Sequence, residues 1–430
     1  KFKVNKLSTG INARYFLTRD FLNTLYTLLW IRNRVKEAEK LFSDYEITGN
    51  ELARVQKLRE KLESDHVTVS VIGQFKRGKS ALVNRILEDT VLPVGIVPVT
   101  AVVTTVEYGE KSAAVHFNNG VVKEVEFDEI STYVNEQENQ DNKLNVTKVA
   151  IKTPSEFLKS GLTFVDTPGV GSMHENNTVE AYAFVKESDA VIFTLSVDSP
   201  INQIEIDFLK NAKEYAAKFY FAINKIDAIA EADLEAYLAY CRRFIAGLME
   251  VEDIMMFPVS AKEDIGVEDL KEAILEDLST DSSKILEEST KLKLHDIVVS
   301  ALAQITFYRN AMQMTHVEFD QKFEEIKAFF DQIHMETSML PAALRTNAAV
   351  CEAHTNDVKN RLTAKVKELF FIDYHYEIER VSGHTAVEGE DDLVARVDNI
   401  CNNLNETLNT VFMHREENTY VVARRINNLN

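Results

Sequence analysis

Val67-Thr-Val-Ser-Val-Ile72, running directly into Gly73-Gln74-Phe75-Lys76-Arg77-Gly78-Lys79-Ser80, decides the fold. The first six residues are a short β-branched run, which reads as a strand. Ala81-Leu-Val-Asn-Arg-Ile-Leu87 then carries apolar residues at helical spacing. Strand, glycine loop and helix in that order make a phosphate-binding P-loop. Gly73 and Gly78 permit the tight turn that aims backbone amides at phosphates, so the loop from Gly73 through Gln74, Phe75, Lys76, Arg77 and Gly78 to Ala81 is the expected cradle. Lys79 is expected to reach the β- and γ-phosphates and Ser80 to ligate Mg²⁺.

Four further motifs follow in order. Thr100 ends Leu92-Pro-Val-Gly-Ile-Val-Pro-Val-Thr100, a loop suited to a first switch that meets Mg²⁺ and the γ-phosphate. Thr104 and Thr105 are rivals but fall in the strand expected next. Asp166-Thr167-Pro168-Gly169 closes the strand candidate Leu162–Val165. Asp166 would hold Mg²⁺ through water, and the Gly169 amide would bond the γ-phosphate. Asn224-Lys225-Ile226-Asp227 follows another strand candidate, with Asp227 placed to accept from guanine N1–H and the 2-amino group. Adenine lacks that donor pair, so the carboxylate discriminates between bases. The Lys225 stem would pack on the base and Asn224 would brace the loop. Ser260-Ala261-Lys262 would complete the pocket, with the Ala261 amide on guanine O6. Ordered in this way, the motifs describe a guanine-nucleotide site.

Two details stand out. Val170 follows Gly169, where many small GTPases carry a glutamine that positions the attacking water, so that service must come from elsewhere. Lys76 and Arg77 add two positive charges to the P-loop. They either face solvent or acidic partners, or Lys76 stands beside the β–γ bridging oxygen and offsets its developing charge.

The 430 residues allow two or three domains. A formal charge of −20 argues against a nucleic-acid partner, which requires a Lys/Arg excess. Cys241, Cys351 and Cys401 have no metal-like spacing and read as reduced thiols of a cytosolic protein. No apolar run reaches the roughly 18–20 residues of a membrane helix. Phe21 to Ile31 is interrupted by Asn23, Thr24 and Thr27 and reads as an amphipathic helix, not a signal peptide.

Residues 1–65 are expected to be helices joining a neck, with a break at Gly49-Asn50. Residues 66–280 alternate strands and helices, an α/β domain with a mostly parallel sheet covered on both faces. Residues 281–430 are expected to form a helical neck and trunk. Leu294, Val298, Ala301, Ile305, Tyr308, Met312, Thr315 and Phe319 follow a four-three step, and Phe323, Ile326, Phe330 and Ile333 resume it after one slip. That predicts a coiled-coil-like seam of about 40 residues, or roughly 60 Å, ended by Pro341.

These residues resemble the dynamin-like large GTPases, and bacterial members above all. The resemblance rests on the P-loop, on Leu92–Thr104, on Asp-Thr-Pro-Gly-Val-Gly-Ser172 and on Asp198-Ser-Pro-Ile-Asn-Gln-Ile-Glu205. It is specific over about 66–280 and architectural over the helical flanks. It implies GTP hydrolysis to GDP and phosphate, stimulated when GTPase domains dimerise across the nucleotide. It also implies a self-assembling or paralogous partner chain, and a stalk that couples the cycle to membrane fusion, fission or tubulation. The protein would then be cytoplasmic and peripheral on the inner face of a membrane. A monovalent cation often orders the catalytic centre in this family, and the Lys76 ammonium is a candidate replacement. The chain is shorter than usual members, so a truncated trunk or a partner bearing the membrane tip is expected. Leu369-Phe370-Phe371-Ile372 is the nearest tip candidate, with a buried helix face as the other reading. Two other readings are a regulatory switch GTPase acting on a protein partner without remodelling membranes, and a helical scaffold that binds GTP without turnover.

Overall fold

The computed structural model describes residues 19–43, 49–64, 66–94, 102–135, 138–139, 142–167, 184–345, 348–370, 393–402, 404–405 and 408–409. Nine strands form one sheet: β1 Val67–Ile72, β2 Thr104–Tyr108, β3 Ser112–Phe117, β4 Val122–Val125, β5 Val146–Thr153, β6 Leu162–Asp166, β7 Ala190–Ser196, β8 Lys218–Asn224 and β9 Met256–Pro258. Their order is β4-β3-β5-β2-β6-β1-β7-β8-β9. From β6 to β9 every ladder is parallel. The β2–β6, β3–β4 and β3–β5 ladders are antiparallel, so the sheet is mixed at its other side.

The central strands are buried on both faces, as a parallel sheet between helices requires. Their two-residue period divides the apolar side chains. Val67, Val69, Val71, Ala190 and Ile192 face one core, which α3 (Lys79–Leu87) covers with Leu82, Val83 and Ile86. Ile72, Val191, Phe193 and Leu195 face the other. There α5 (Gln203–Ala212) supplies Phe208 and Leu209, and α6 (Glu231–Met249) supplies Ile245. A short α4, Ile130–Val134, packs Ile130 and Val134 into the first core.

The next helix, α7, runs unbroken for 47 residues from Val267 to Gln313. Its first turns place Val267, Leu270, Ile274 and Leu278 in the sheet's core. Farther along, Leu286, Ile297 and Ala301 meet α1 (Arg19–Ser43) through Val35 and Phe42, and α2 (Gly49–Ser64) through Val55, Leu58 and Leu62. Residue 280 thus lies inside a helix and not in a linker.

The expected continuous seam is divided. α7 ends at Gln313 and α8 runs from His316 to Ser338. Thr315, read as a seam position, is instead the N-cap of α8, in extended backbone at φ −66° and ψ 160°. Its hydroxyl accepts from the Glu318 amide at 3.2 Å while Glu318 accepts from the Thr315 amide at 2.9 Å, a capping box that restarts the helix. After the short α9, Ala342–Arg345, α10 spans Ala348–Phe370. α8, α10 and the helical residues 393–402 share a core of Phe319, Ile326, Ile333, Leu362, Val366 and Val397. Leu369 and Phe370 also lie in it, 4% and 0% exposed. Both are helix-face residues and not a surface tip, while Phe371 and Ile372 lie outside the described residues.

Candidate functional site

The parallel strands deliver their motifs to one edge of the sheet. Gly73 follows β1, β6 ends at Asp166, β8 at Asn224, and Ser260 follows β9. The crevice beyond the carboxyl ends of such strands is where open α/β sheets bind ligands.

The P-loop is fixed by two glycines. Gly73 has φ +152°, and a Cβ there would lie 2.3 Å from the Thr194 carbonyl oxygen. Gly78 has φ +88°, and a Cβ would lie 2.4 Å from Asn224 Nδ2. Both positions therefore exclude side chains. α3 begins at Lys79, with the Leu82 amide donating to the Gly78 carbonyl at 2.9 Å. The loop's amides thus sit at a helix N-terminus, which favours anions. Ala81 lies in the first turn of α3.

Lys79 Nζ donates to the carbonyls of Gly73 (3.1 Å) and Gln74 (3.3 Å). Burial pulls its ammonium down to about 8, against the attraction of Asp166 and Glu205. Ser80 Oγ donates to Asp166 Oδ2 at 2.6 Å. Burial pushes the Asp166 carboxyl up to about 6, although Lys79 and Ser80 pull it down. Among the described residues, Asp166 Oδ1 is buried with no hydrogen-bond partner. A serine hydroxyl beside a buried carboxylate with one unmet oxygen fits a hard divalent cation such as Mg²⁺. The Thr167 hydroxyl ties this loop to β1 by donating to the Val71 carbonyl at 2.9 Å. Thr100, Gly169 and Val170 lie outside the described residues. Thr104 is in β2, as expected of a strand residue.

At the other end of the crevice, Asn224 joins three loops. Its Nδ2 donates to the Arg77 carbonyl at 2.9 Å, and its Oδ1 accepts from the amides of Lys225 (2.8 Å) and Ala261 (3.1 Å). The Ala261 amide, expected on guanine O6, is thus bonded to Asn224 in this structure. Asp227 Oδ1 accepts from the Ser260 hydroxyl at 2.6 Å, which brings those two motifs together. Lys225 has φ +65°, and its ammonium lies 2.7 Å from Asp198 Oδ2. Burial works against the Asp198 charge, but hydrogen bonds from Lys225 and Ser196 hold its carboxyl below the usual carboxylate range. Lys262 is exposed and pairs with Glu263 at 2.7 Å.

The two extra P-loop charges diverge. Lys76 is exposed at φ +68°, with Nζ 5.3 Å from the Phe75 ring centroid. Arg77 is 1% exposed and its guanidinium reaches into the segment after β7. Its Nε and Nη2 grip Glu205 at 2.9 and 2.7 Å, so its guanidinium faces an acidic partner, one of the two settings expected for the P-loop charges. The sequence places Glu205 in the segment Asp198–Glu205 but does not show its pairing with Arg77. The signal was present in Asn202-Gln-Ile-Glu205, whose capping box the structure contains.

Fold and site together define a P-loop nucleotide-binding domain of the GTPase class. The family model for the dynamin family matches residues 69–227. The chain is 37% identical over 234 residues to an uncharacterized protein in the xynA 3′ region of Caldicellulosiruptor sp. (strain Rt8B.4), covering 54% of this chain and 58% of that one. It is 25% identical over 185 residues to Dynamin-like protein A of Bacillus subtilis (strain 168), covering 42% and 15%. A solved chain from an oligomerised bacterial dynamin pair, described as a mechanism for long-range sensing and tethering of membranes, aligns at a TM-score of 0.50. Identity there is 17%, over 81% of this chain and 57% of that one, a likeness of fold. Residues 69–227 are thus similar to the dynamin family, and the chain spans under two-thirds of the length of each of these relatives.

Proposed function

We propose that the chain hydrolyses GTP to GDP and phosphate, and that dimerisation of its GTPase domains stimulates the reaction and couples it to membrane remodelling. The observation that carries this reading is the convergence, on one sheet edge, of Lys79 and the Ser80–Asp166 pair at one end and the Asp227–Ser260 pair at the other, with Asn224 bonded between them. The first end suits a phosphate chain and the second a guanine base.

In this reading the Gly73–Ala81 loop and Lys79 bind the phosphates. Ser80, Asp166 and Thr100 hold Mg²⁺, which supplies charge neutralisation on the β- and γ-phosphates when bound. The Gly169 amide positions the γ-phosphate. Asn224, Lys225, Asp227, Ser260, Ala261 and Lys262 form the base end. With valine at 170, the attacking water is positioned by other groups. Charge beside the β–γ bridge comes from Lys76 or from a monovalent cation. The partner is a second copy or a paralogous chain, by analogy with the oligomerised pair above. Among the described residues no helix is long and apolar enough to cross a membrane; in this reading the attachment is peripheral, on an inner, cytoplasmic membrane face.

Phosphate release measured at two protein concentrations tests the enzyme. Specific activity should rise with concentration, and a flat value would exclude dimer activation. Liposome co-sedimentation with a GTP transition-state mimic tests the membrane end. Turnover without liposome binding would leave a regulatory switch GTPase instead. For base choice, Asp227→Asn should shift preference from guanine to xanthine nucleotides by about 10²-fold or more, because the amide donates where the carboxylate accepted. Competition between GTP and XTP reads this directly, and an unchanged GTP preference would remove Asp227 from the base pocket.

A further inference from the structure

Arg77 spends its whole guanidinium on one segment. Nε donates to Glu205 Oε1 (2.9 Å) and Nη2 to Glu205 Oε2 (2.7 Å) and to the Pro200 carbonyl (3.0 Å). Nη1 donates to the Ser199 carbonyl (2.6 Å) and to Ser196 Oγ (3.0 Å), with a longer contact to the Ser196 carbonyl (3.4 Å). All five N–H donors are engaged, which is the full capacity of the group. Glu205, 0% exposed, also accepts from the amides of Gln74 (3.4 Å) and Asn202 (3.2 Å). A bidentate, buried arginine–carboxylate pair fixes geometry more firmly than either charge alone.

That pair closes a circuit. Ser196 Oγ accepts from Arg77 and donates to Asp198 Oδ1 at 2.5 Å, and Asp198 Oδ2 holds Lys225 at 2.7 Å. Lys225 adjoins Asn224, which bonds back to the Arg77 carbonyl. The Asp198–Lys225 pair is itself partly exposed, its side chains 48% and 33% accessible, and a pair of that kind is weak unless its partners are held in place.

We infer that Arg77 and Glu205 are a positioning pair that sets the orientation of the base-binding loop from the phosphate loop, through residues 196–205. The inference rests on the GTP-pocket reading above. It gives the P-loop arginine a role within its own chain, with Lys76 left as the loop's exposed cation.

The test replaces the pair by apolar residues of similar volume, Arg77→Met with Glu205→Leu, a change that buried ion pairs often tolerate in stability. Equilibrium binding of mant-GDP should weaken about tenfold, the scale of losing a charge-assisted hydrogen-bond set. KM for GTP should rise with it, and by a larger factor than kcat falls. Asp198→Asn should weaken binding about threefold in the otherwise unchanged chain and add nothing in the double variant, because the circuit is already open. Should the apolar pair fail to fold, Glu205→Gln keeps the shape and weakens the acceptor, and the same non-additivity with Asp198→Asn is expected. Unchanged mant-GDP affinity in the folded variant, or additive effects of Asp198→Asn, would overturn the inference. Failure of the unmodified chain to bind mant-GDP would overturn the pocket reading instead.

Discussion

Lys79→Ala is expected to lower GTP turnover by about 10²–10³-fold or more, the scale of losing one preorganised charge aimed at the reacting group. Lys79 is buried and its ammonium is held by two P-loop carbonyls, Gly73 and Gln74. Those two bonds fix the long side chain and leave its third donor for a phosphate. Burial has already shifted this ammonium toward its neutral form, so an incoming polyanion recovers attraction that water no longer provides. Alanine removes the charge and leaves both carbonyls and Asp166 without their cation. Phosphate release at saturating GTP is the measurement. Turnover within about tenfold of the unmodified chain would mean that Lys79 does not meet the γ-phosphate.

Asp189→Ala should destabilise the protein by about 3–5 kcal/mol, the cost of breaking a buried ion pair by removing one partner. Asp189 stands just before β7 and is 0% exposed. Its Oδ1 accepts from Lys293 (2.7 Å) and the Ser289 hydroxyl (2.6 Å), both on α7. Its Oδ2 accepts from the Thr68 amide of β1 (2.9 Å) and lies 2.7 Å from Lys61 of α2. Burial alone would raise its carboxyl, but Lys293 and Lys61 together outweigh burial and set it at about 2. A carboxyl lowered by folding stabilises the fold above its unfolded value, near 3.9. That stability is lost as pH falls through the folded value. The unmodified chain should therefore lose stability between about pH 4 and pH 2 through this group, and the alanine variant should lack that component. Denaturant unfolding at pH 7 and along an acid series measures both. A loss below about 1 kcal/mol at pH 7 would show that the two lysines find other partners.

The legible parts of this molecule were those with local signatures. Strand β6, Leu162–Asp166, covers the expected Leu162–Val165, because an uninterrupted buried run bounded by Gly161 and the Asp-Thr-Pro-Gly loop has few alternatives. The P-loop, Asp166 and the Asn224–Asp227 loop come together because each motif sits at the end of a parallel strand. β4 has no such signature: Val-Lys-Glu-Val is short and mostly exposed, and only pairing with β3 makes it a strand. The division of the seam at Thr315 was written in Thr315-His-Val-Glu318, but the apolar period ran across it and hid the cap. The partners of Arg77 and of Asp189 lie 128 and 104 positions away, at Glu205 and Lys293. No periodicity reports such contacts. They arise only once the sheet order sets β1 beside β7 and α7 against their ends.

The unbroken course of α7 has a mechanical consequence. The helix starts six residues after Ala261 and is 47 residues long, so its length is about 70 Å at 1.5 Å per residue. A rigid rod converts angle into travel in proportion to the length beyond its pivot. Asp189 holds α7 against the sheet as far as Lys293, so the arm that swings runs from Lys293 to Gln313, about 30 Å, and a tilt of about 5° there displaces its far end by about 3 Å. The rod needs no intermediate joint for this gain, and α1 and α2, packed along it, must travel with it as one lever.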